Sequence, residues 1–289
     1  MADDWRDRLG SAIGVPVRDA RPIGGGHGAR HYRASLADGR ELFVKSVPAG
    51  AAEVVGGALE AEGRGLAWLG DAGAVPVPEV FFCSKELVAL SWVPQAGADR
   101  GAAERFGRDL ARLHASGAES FGAPWPGFIA SLPLPNAQAS SWPDWYAASR
   151  LLPYGRIARD AGWLSRADVA LIESVAERIA DLAGPPEPPS RLHGDCWSGN
   201  VLWSGGRGWL IDPAAHGGHR ETDLAMLALF GAPYLDRLLA AYQEVAPLAP
   251  GWQARVPLHQ LHPLLVHVCL FGAGYRDGAI AAARAALAG

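Results

Sequence analysis

Residues 191–226 read RLHGDCWSGNVLWSGGRGWLIDPAAHGGHRETDLAM, and two short apolar runs inside this stretch set its frame. Val201-Leu202-Trp203 and Trp209-Leu210-Ile211 are joined by Ser-Gly-Gly-Arg-Gly, a turn-forming segment. The pair therefore reads as an antiparallel hairpin. A symmetric register sets Leu202 opposite Leu210 and leaves Asn200 and Asp212 at the same open end. Asp195 enters that end from a glycine-containing loop, five residues before Asn200. Two carboxylates and an amide then converge, each on a turn and none on a solvated helix face. Such a set suits a hard, oxygen-loving Mg²⁺ that keeps several waters, with Asp195 left over as a base. Any one of these residues alone reads as well as a turn cap; the order and spacing of the three together favour the metal-and-base reading.

The N-terminal half supplies matching parts. RPIGGGHGARHYRASL places Gly24, Gly25, Gly26 and Gly28 around His27, immediately before a strand. Glycine lets a backbone approach a phosphate closely and aim N–H groups at it. Lys45 follows in FVKSV, flanked by apolar residues. The chain has 26 basic residues, of which only Lys45 and Lys85 are lysines, so arginine serves wherever a generic positive charge is needed. A lysine kept inside an apolar strand asks for a chemical explanation. On a helix over residues 57–69, Leu59, Leu66 and Leu69 share one face with Glu62 in its middle, while Glu60 points away. A buried acid needs a partner. A Lys45–Glu62 ion pair meets both demands and leaves the ammonium to hold phosphate groups beside the glycine-rich turn; the alternative places Glu62 at an exposed, frayed end.

The rest of the chain bounds the reading. At 289 residues, two domains are expected. A net charge of −4 argues against nucleic acid or an anionic membrane as the main partner. Three widely spaced cysteines suggest a reducing, cytoplasmic setting without a disulfide frame. The first 93 or so residues read as four or five strands with one helix, including a hairpin at Asp38-Gly39. Residues 94–98 look like a connector, and residues 99–289 are mostly helical, broken by prolines toward the end. Residues 121–153 read as a long irregular excursion. The histidines lack HExxH or zinc-spaced cysteines, so structural zinc is not expected.

Asp-x-x-x-x-Asn followed by a second Asp at a strand end resembles the catalytic loop and metal-binding Asp of protein-kinase-like enzymes. His193 takes the place of the loop histidine, Gly194 replaces the usual Arg, and Pro213-Ala214 replaces Phe-Gly. More closely, HGDCWSGN, IDPAAHGGHRETDLAM and the C-terminal LHQLHPLLVHVCLFGAGY resemble the fructosamine kinase family, related to aminoglycoside phosphotransferases and choline kinases. The likeness covers essentially the whole chain. It implies an α+β, protein-kinase-like fold with a small β-rich lobe over ATP and a larger helical lobe. It implies Asp195 as base, Asn200 and Asp212 on the metal, and Trp197 as a platform for the sugar, with core packing the plainer alternative for that ring. Ser91 and Val93 fall at the adenine edge, although relatives commonly carry an acid at the Ser91 position. Trp145 and Asp144 are expected to wall the acceptor pocket, with packing between helices an equal alternative for the Trp residues. His193 and Asp223 are expected to support the loop, Asp223 through backbone N–H groups. The implied acceptor is a ketosamine on a small amine, amino acid or protein lysine, phosphorylated at its 3-hydroxyl. A kinase for another small molecule, or a nucleotide-binding protein without turnover, is the rival.

Overall fold

The computed structural model describes residues 5–26, 28–48 and 52–289. Helix α1 (Trp5–Ile13) precedes strands β1 (Val17–Gly26), β2 (Ala29–Leu36) and β3 (Glu41–Ser46). Helix α2 (Ala52–Gly70) and strands β4 (Val80–Cys83) and β5 (Leu87–Ser91) follow. The five strands form one antiparallel sheet in the order β1-β2-β3-β5-β4. Gly39, at φ 88°, closes the turn between β2 and β3. The sequence predicted a single helix in this lobe, and α1 is a second. Its two buried residues, Trp5 and Leu9, seat it on the sheet, with Trp5 5.1 Å from Tyr32. Two anchors among charged residues are too few to show a helical period.

The larger lobe opens with α3 (Arg100–Ala115), capped by Asp99, whose side chain accepts the Ala102 N–H at 2.8 Å. Phe106, Leu110 and Leu113 of α3 are buried, as their spacing predicts. The 121–153 stretch is ordered rather than irregular. It contains a hairpin of β6 (Gly127–Ile129) and β7 (Leu132–Leu134), helix α4 (Trp142–Tyr146), a π-helical turn (Ala147–Leu151) and the start of α5 (Leu152–Asp160). Next come α6 (Arg166–Glu177), which opens on a Ser165–Asp168 capping box, α7 (Ile179–Leu182) and β8 (Ser190–Leu192). A 3₁₀ turn (Ser198–Asn200) leads into β9 (Val201–Ser204) and β10 (Arg207–Leu210); β11 (His216–Gly218) then pairs back with β8. Helices α8 (Glu221–Phe230), α9 (Leu235–Val245) and α10 (Trp252–Phe271), a 3₁₀ turn (Gly272–Tyr275) and α11 (Arg276–Ala288) complete the chain.

The β9–β10 hairpin pairs Leu202 with Trp209 and Val201 with Leu210, one residue off the symmetric register. Gly205 and Gly206, both at positive φ, form a two-residue turn whose twist suits the strands, and that turn length fixes the register. The open end survives the slip, because the Ile211 N–H donates to the Asn200 carbonyl at 3.1 Å and Asp212 comes next. Proline also fails to break α10, which runs through Pro257 and Pro263. Pro263 deprives the His259 carbonyl of its helical donor, and the buried Tyr146 hydroxyl donates to the carbonyls of Leu258 (3.2 Å) and His259 (3.4 Å) in its place.

By length and composition the run Trp252–Ala288 is apolar enough to cross a membrane, but over half of its apolar window is buried. Leu258, Leu261, Leu265 and Val268 of α10 pack with Ala279, Ala283 and Ala286 of α11 into the main helical core. The connector is tied to the β9–β10 hairpin, since the Ala96 N–H donates to the Trp203 carbonyl at 2.7 Å.

Candidate active site

A cleft of about 520 Å³ is lined by Gly26, Ala29 and Lys45 from the sheet, Glu62 from α2, and Asp195, Asn200 and Asp212 from the hairpin end. Lys45 is in the middle strand of the sheet and Glu62 on the buried face of α2 with Leu59, Leu66 and Leu69. The Lys45 ammonium donates to Glu62 Oε2 at 2.8 Å and also to Asp212 Oδ1. Sequence reasoning found the first partner and missed the second. Burial works against the Lys45 charge, yet the Glu62 and Asp212 carboxylates outweigh it and hold the ammonium above its ordinary range. Glu62 is pushed up by burial, against the pull of Lys45. The sheet and the hairpin are thus joined by one ammonium shared between two acids.

The loop that carries Asp195 is held from behind. His193 is fully buried; its Nε2 donates to the Ile211 carbonyl at 2.8 Å, and its Nδ1 accepts the Asp195 N–H at 3.2 Å. The Asp223 carboxylate accepts the backbone N–H groups of His193 (2.8 Å) and Gly194 (3.0 Å), the brace its position at the start of α8 predicted. Gly194 sits at φ 80°, where a Cβ would lie 2.2 Å from the Ala214 carbonyl oxygen. That contact explains why no side chain stands between His193 and Asp195.

Asn200 Nδ2 donates to Asp195 Oδ2 at 2.9 Å and to the Asp195 carbonyl at 3.0 Å. With its nitrogen engaged inside the loop, the Asn200 amide offers its oxygen to the cleft. Asp212 takes φ 51°, a left-handed conformation rare for a residue with a side chain, and such strain is kept where a fixed orientation matters. Burial pushes the Asp195 carboxyl up to about 7; the Asn200 hydrogen bond opposes this and the charges of Asp212 and Asp223 add to it. An acid poised there can take a proton near neutral pH. The Asn200 oxygen and the Asp212 carboxylate are hard oxygen donors on one side of the cleft, the chemistry that Mg²⁺ requires.

Other predicted residues fall elsewhere. Of the glycine-loop set only Gly26 lines the cleft; Gly24 and Gly25 pair with His31 and Arg30, Gly28 has φ 86°, and His27 lies outside the described residues. Ser91 and Val93 do not line it, and the Ser91 hydroxyl accepts the Glu79 N–H at 2.9 Å. Trp145 is buried, donates from Nε1 to the Ala137 carbonyl at 2.8 Å and carries the Arg150 guanidinium over its ring at 4.3 Å. Asp144 is exposed on α4 and away from the cleft. Both leave the acceptor set: burying the indole gives α4 its place in the core and turns its neighbour outward. The cleft is lined instead by Phe128 and Ile129 of β6, by Met226 and Phe230 of α8, and by the end of α10.

Trp197 does line the cleft and is 37% exposed. Its indole lies over Gly199, where a Cβ would meet the ring at 2.3 Å, and meets Phe230 edge-on at 5.9 Å. Gly199 had no assigned role in the sequence reading; here it makes room for the ring. His219, Glu221 and His259 cluster in the interior, but Arg255 binds the Glu221 carboxylate through both Nε (2.9 Å) and Nη2. That bidentate pair already neutralises the acid on which a cation there would depend.

A family model described as fructosamine kinase matches residues 2–288. The chain belongs to the fructosamine kinase family. A family structure described as a fructosamine-3-kinase, from Thermobifida fusca, superposes with a TM-score of 0.96 at 53% identity, covering 99% of each chain. A protein of Synechocystis sp. named as a ketoamine kinase is 31% identical over 282 residues, 94% of this chain and 92% of its own. The chloroplastic protein-ribulosamine 3-kinase of Arabidopsis thaliana is 31% identical over 274 residues, 89% of this chain and 79% of its own. A macrolide 2'-phosphotransferase structure from Brachybacterium faecium, at 20% identity and a TM-score of 0.63 over 97% of each chain, shares the fold. The family's small antiparallel lobe and helical lobe are those described above.

Proposed function

We propose that this chain is an ATP-dependent ketosamine kinase that transfers the γ-phosphoryl group to the 3-hydroxyl of a fructosamine or ribulosamine. The observation that carries the reading is the Lys45–Glu62–Asp212 junction beside the Asp195–Asn200 pair, within one cleft. It supplies a cation for the nucleotide phosphates, two hard oxygen ligands and a base in one place. Membership of a family whose relatives are named for ketoamines and ribulosamine directs the acceptor side.

Lys45, held by Glu62, places its ammonium toward the α- and β-phosphates, and Gly26, at the end of β1, lets the sheet's backbone come close to them. Asn200 and Asp212 would hold Mg²⁺, which when bound offsets negative charge on the phosphates. Asp195 accepts the proton of the acceptor hydroxyl as the oxygen attacks in line with the γ-phosphate. Asn200 keeps the Asp195 carboxylate aimed, and His193 and Asp223 hold its backbone. Trp197 lies two residues beyond the base and presents an indole face, a surface suited to the C–H side of a sugar and to a nearby amine. Phosphorylation at the 3-hydroxyl makes the adduct unstable and frees the amine.

The test is ADP release from full-length protein with MgATP across ketosamines, aminoglycosides and amino alcohols. Turnover confined to ketosamines supports the reading, and turnover confined to another class replaces it. In the same assay Trp197→Ala should raise the acceptor KM far more than the ATP KM; an ATP-selective loss removes the platform role.

A further inference from the structure

Beside the loop that carries Asp195 lies a second, small cavity of about 10 Å³, room for one water or one monatomic ion. Gly194, Thr222 and His262 border both this cavity and the cleft. Trp142 of α4 and Arg150 of the π-helical turn line it from the other side. Turns of that kind are frequently kept at functional sites. Arg150 is 1% exposed, Trp142 4% and His262 5%.

Arg150 is a buried cation with neutral neighbours. Its Nη1 donates to the Pro135 and Ser149 carbonyls, and its Nη2 to the Asn136 amide oxygen at 2.8 Å. Its face lies over the Trp145 ring at 4.3 Å. Among the described residues no carboxylate pairs with it, and burial draws its pKa down to about 10, which leaves it charged at neutral pH. A charge taken out of water is costly unless an opposite charge meets it.

The unpaired atoms around the cavity are of one kind. Arg150 Nε, Trp142 Nε1 and His262 Nε2 are each buried without a hydrogen-bond partner, and all three residues line it. The first two can only donate, and the imidazole donates when its proton is on Nε2. A single water accepts two hydrogen bonds and must place two protons of its own, so it leaves a donor unmatched and the guanidinium charge uncompensated. A monatomic anion accepts from all three and supplies the missing charge.

We propose that this cavity is a halide site, taking chloride or bromide on Arg150 Nε, Trp142 Nε1 and His262 Nε2. The ion ties α4, the π-helical turn and α10 together beside Gly194, and the site is independent of which acceptor the cleft takes. The cavity is too small for phosphate or sulfate.

The experiment follows thermal unfolding of full-length protein as sodium bromide replaces sodium gluconate at constant ionic strength. Gluconate is too large for the cavity, so Tm should rise by about 2–4 °C once bromide is tenfold above its Kd. Trp142→Phe keeps a ring in place and removes its N–H; the bromide concentration giving half the response should increase about tenfold. Arg150→Met should abolish the response. Crystals grown in bromide should show an anomalous peak in the cavity, a readout that does not depend on either variant folding. A flat wild-type titration overturns the proposal, as does the absence of that peak. A response that Trp142→Phe leaves unchanged places the halide elsewhere and overturns it too.

Discussion

His114 Nε2 and Asp223 Oδ2 stand 3.2 Å apart, with both side chains only 1% exposed. His114 also meets the Tyr242 hydroxyl at 2.8 Å through Nδ1, so α3 and α9 together fix the acid that holds the catalytic loop. Burial raises the Asp223 carboxyl, but the His114 hydrogen bond and charge outweigh it and keep the acid below its ordinary range. Asp223→Ala leaves two buried N–H groups and one imidazole without their acceptor. The expected cost is about 3–5 kcal/mol of stability by urea unfolding, with a fall in kcat for the fraction that folds. His114→Phe keeps the packing and should lower kcat with a smaller stability loss. Wild-type kcat in both variants would show that the brace is idle.

Asp195→Asn retains the shape and removes the proton acceptor. Transfer should fall roughly 10²–10⁴-fold, with ATP affinity by equilibrium titration close to wild type. Comparable loss in both measurements would move Asp195 from base to nucleotide ligand.

Glu62→Ala leaves Lys45 to Asp212 alone. Loss of one charge-assisted hydrogen bond is about 1.5–3 kcal/mol, roughly ten- to hundredfold in affinity. The effect should appear as a raised KM for ATP, with the acceptor KM little changed; the reverse split would contradict the phosphate-holding role of Lys45.

Acid stability should follow the buried Glu221–Arg255 pair. Burial pushes Glu221 up, but the His259 imidazole 3.4 Å away and the two hydrogen bonds from Arg255 more than offset it and bring its carboxyl down to about 2. A depressed folded value contributes stability above the unfolded carboxyl range, near 4.3 for Glu, and loses it as pH falls from there toward 2. Glu221→Gln should therefore destabilise the protein at pH 7, and its deficit should shrink by up to about 1.4 kcal/mol per pH unit below that range. Urea midpoints for both proteins at pH 7, 4.5 and 3.5 test the sign; a deficit that grows on acidification would contradict it.

The parts of the site legible in the sequence were polar residues set against apolar or turn-forming surroundings. Lys45 in an apolar strand, Glu62 on a leucine face, and Asp195, Asn200 and Asp212 around a hairpin each broke a local pattern. What escaped depended on partners distant in the chain. His114 reads as one more helix residue until α8 and α9 bring Asp223 and Tyr242 to it. Gly199 matters only because the Trp197 ring folds onto it, and the hairpin register depends on two glycines taking positive φ together. Trp145 and Asp144 were misplaced because an aromatic residue near a polar one looks the same in a pocket wall as in a short helix packed on the core.

The most direct measurement is the position of the phosphate in the product. Full-length protein with MgATP and a fructosamine should yield ADP and one ketosamine monophosphate, with phosphorus–proton coupling placing the ester on the 3-hydroxyl. Phosphate on another hydroxyl, or ADP release with no phosphorylated ketosamine, would contradict the account.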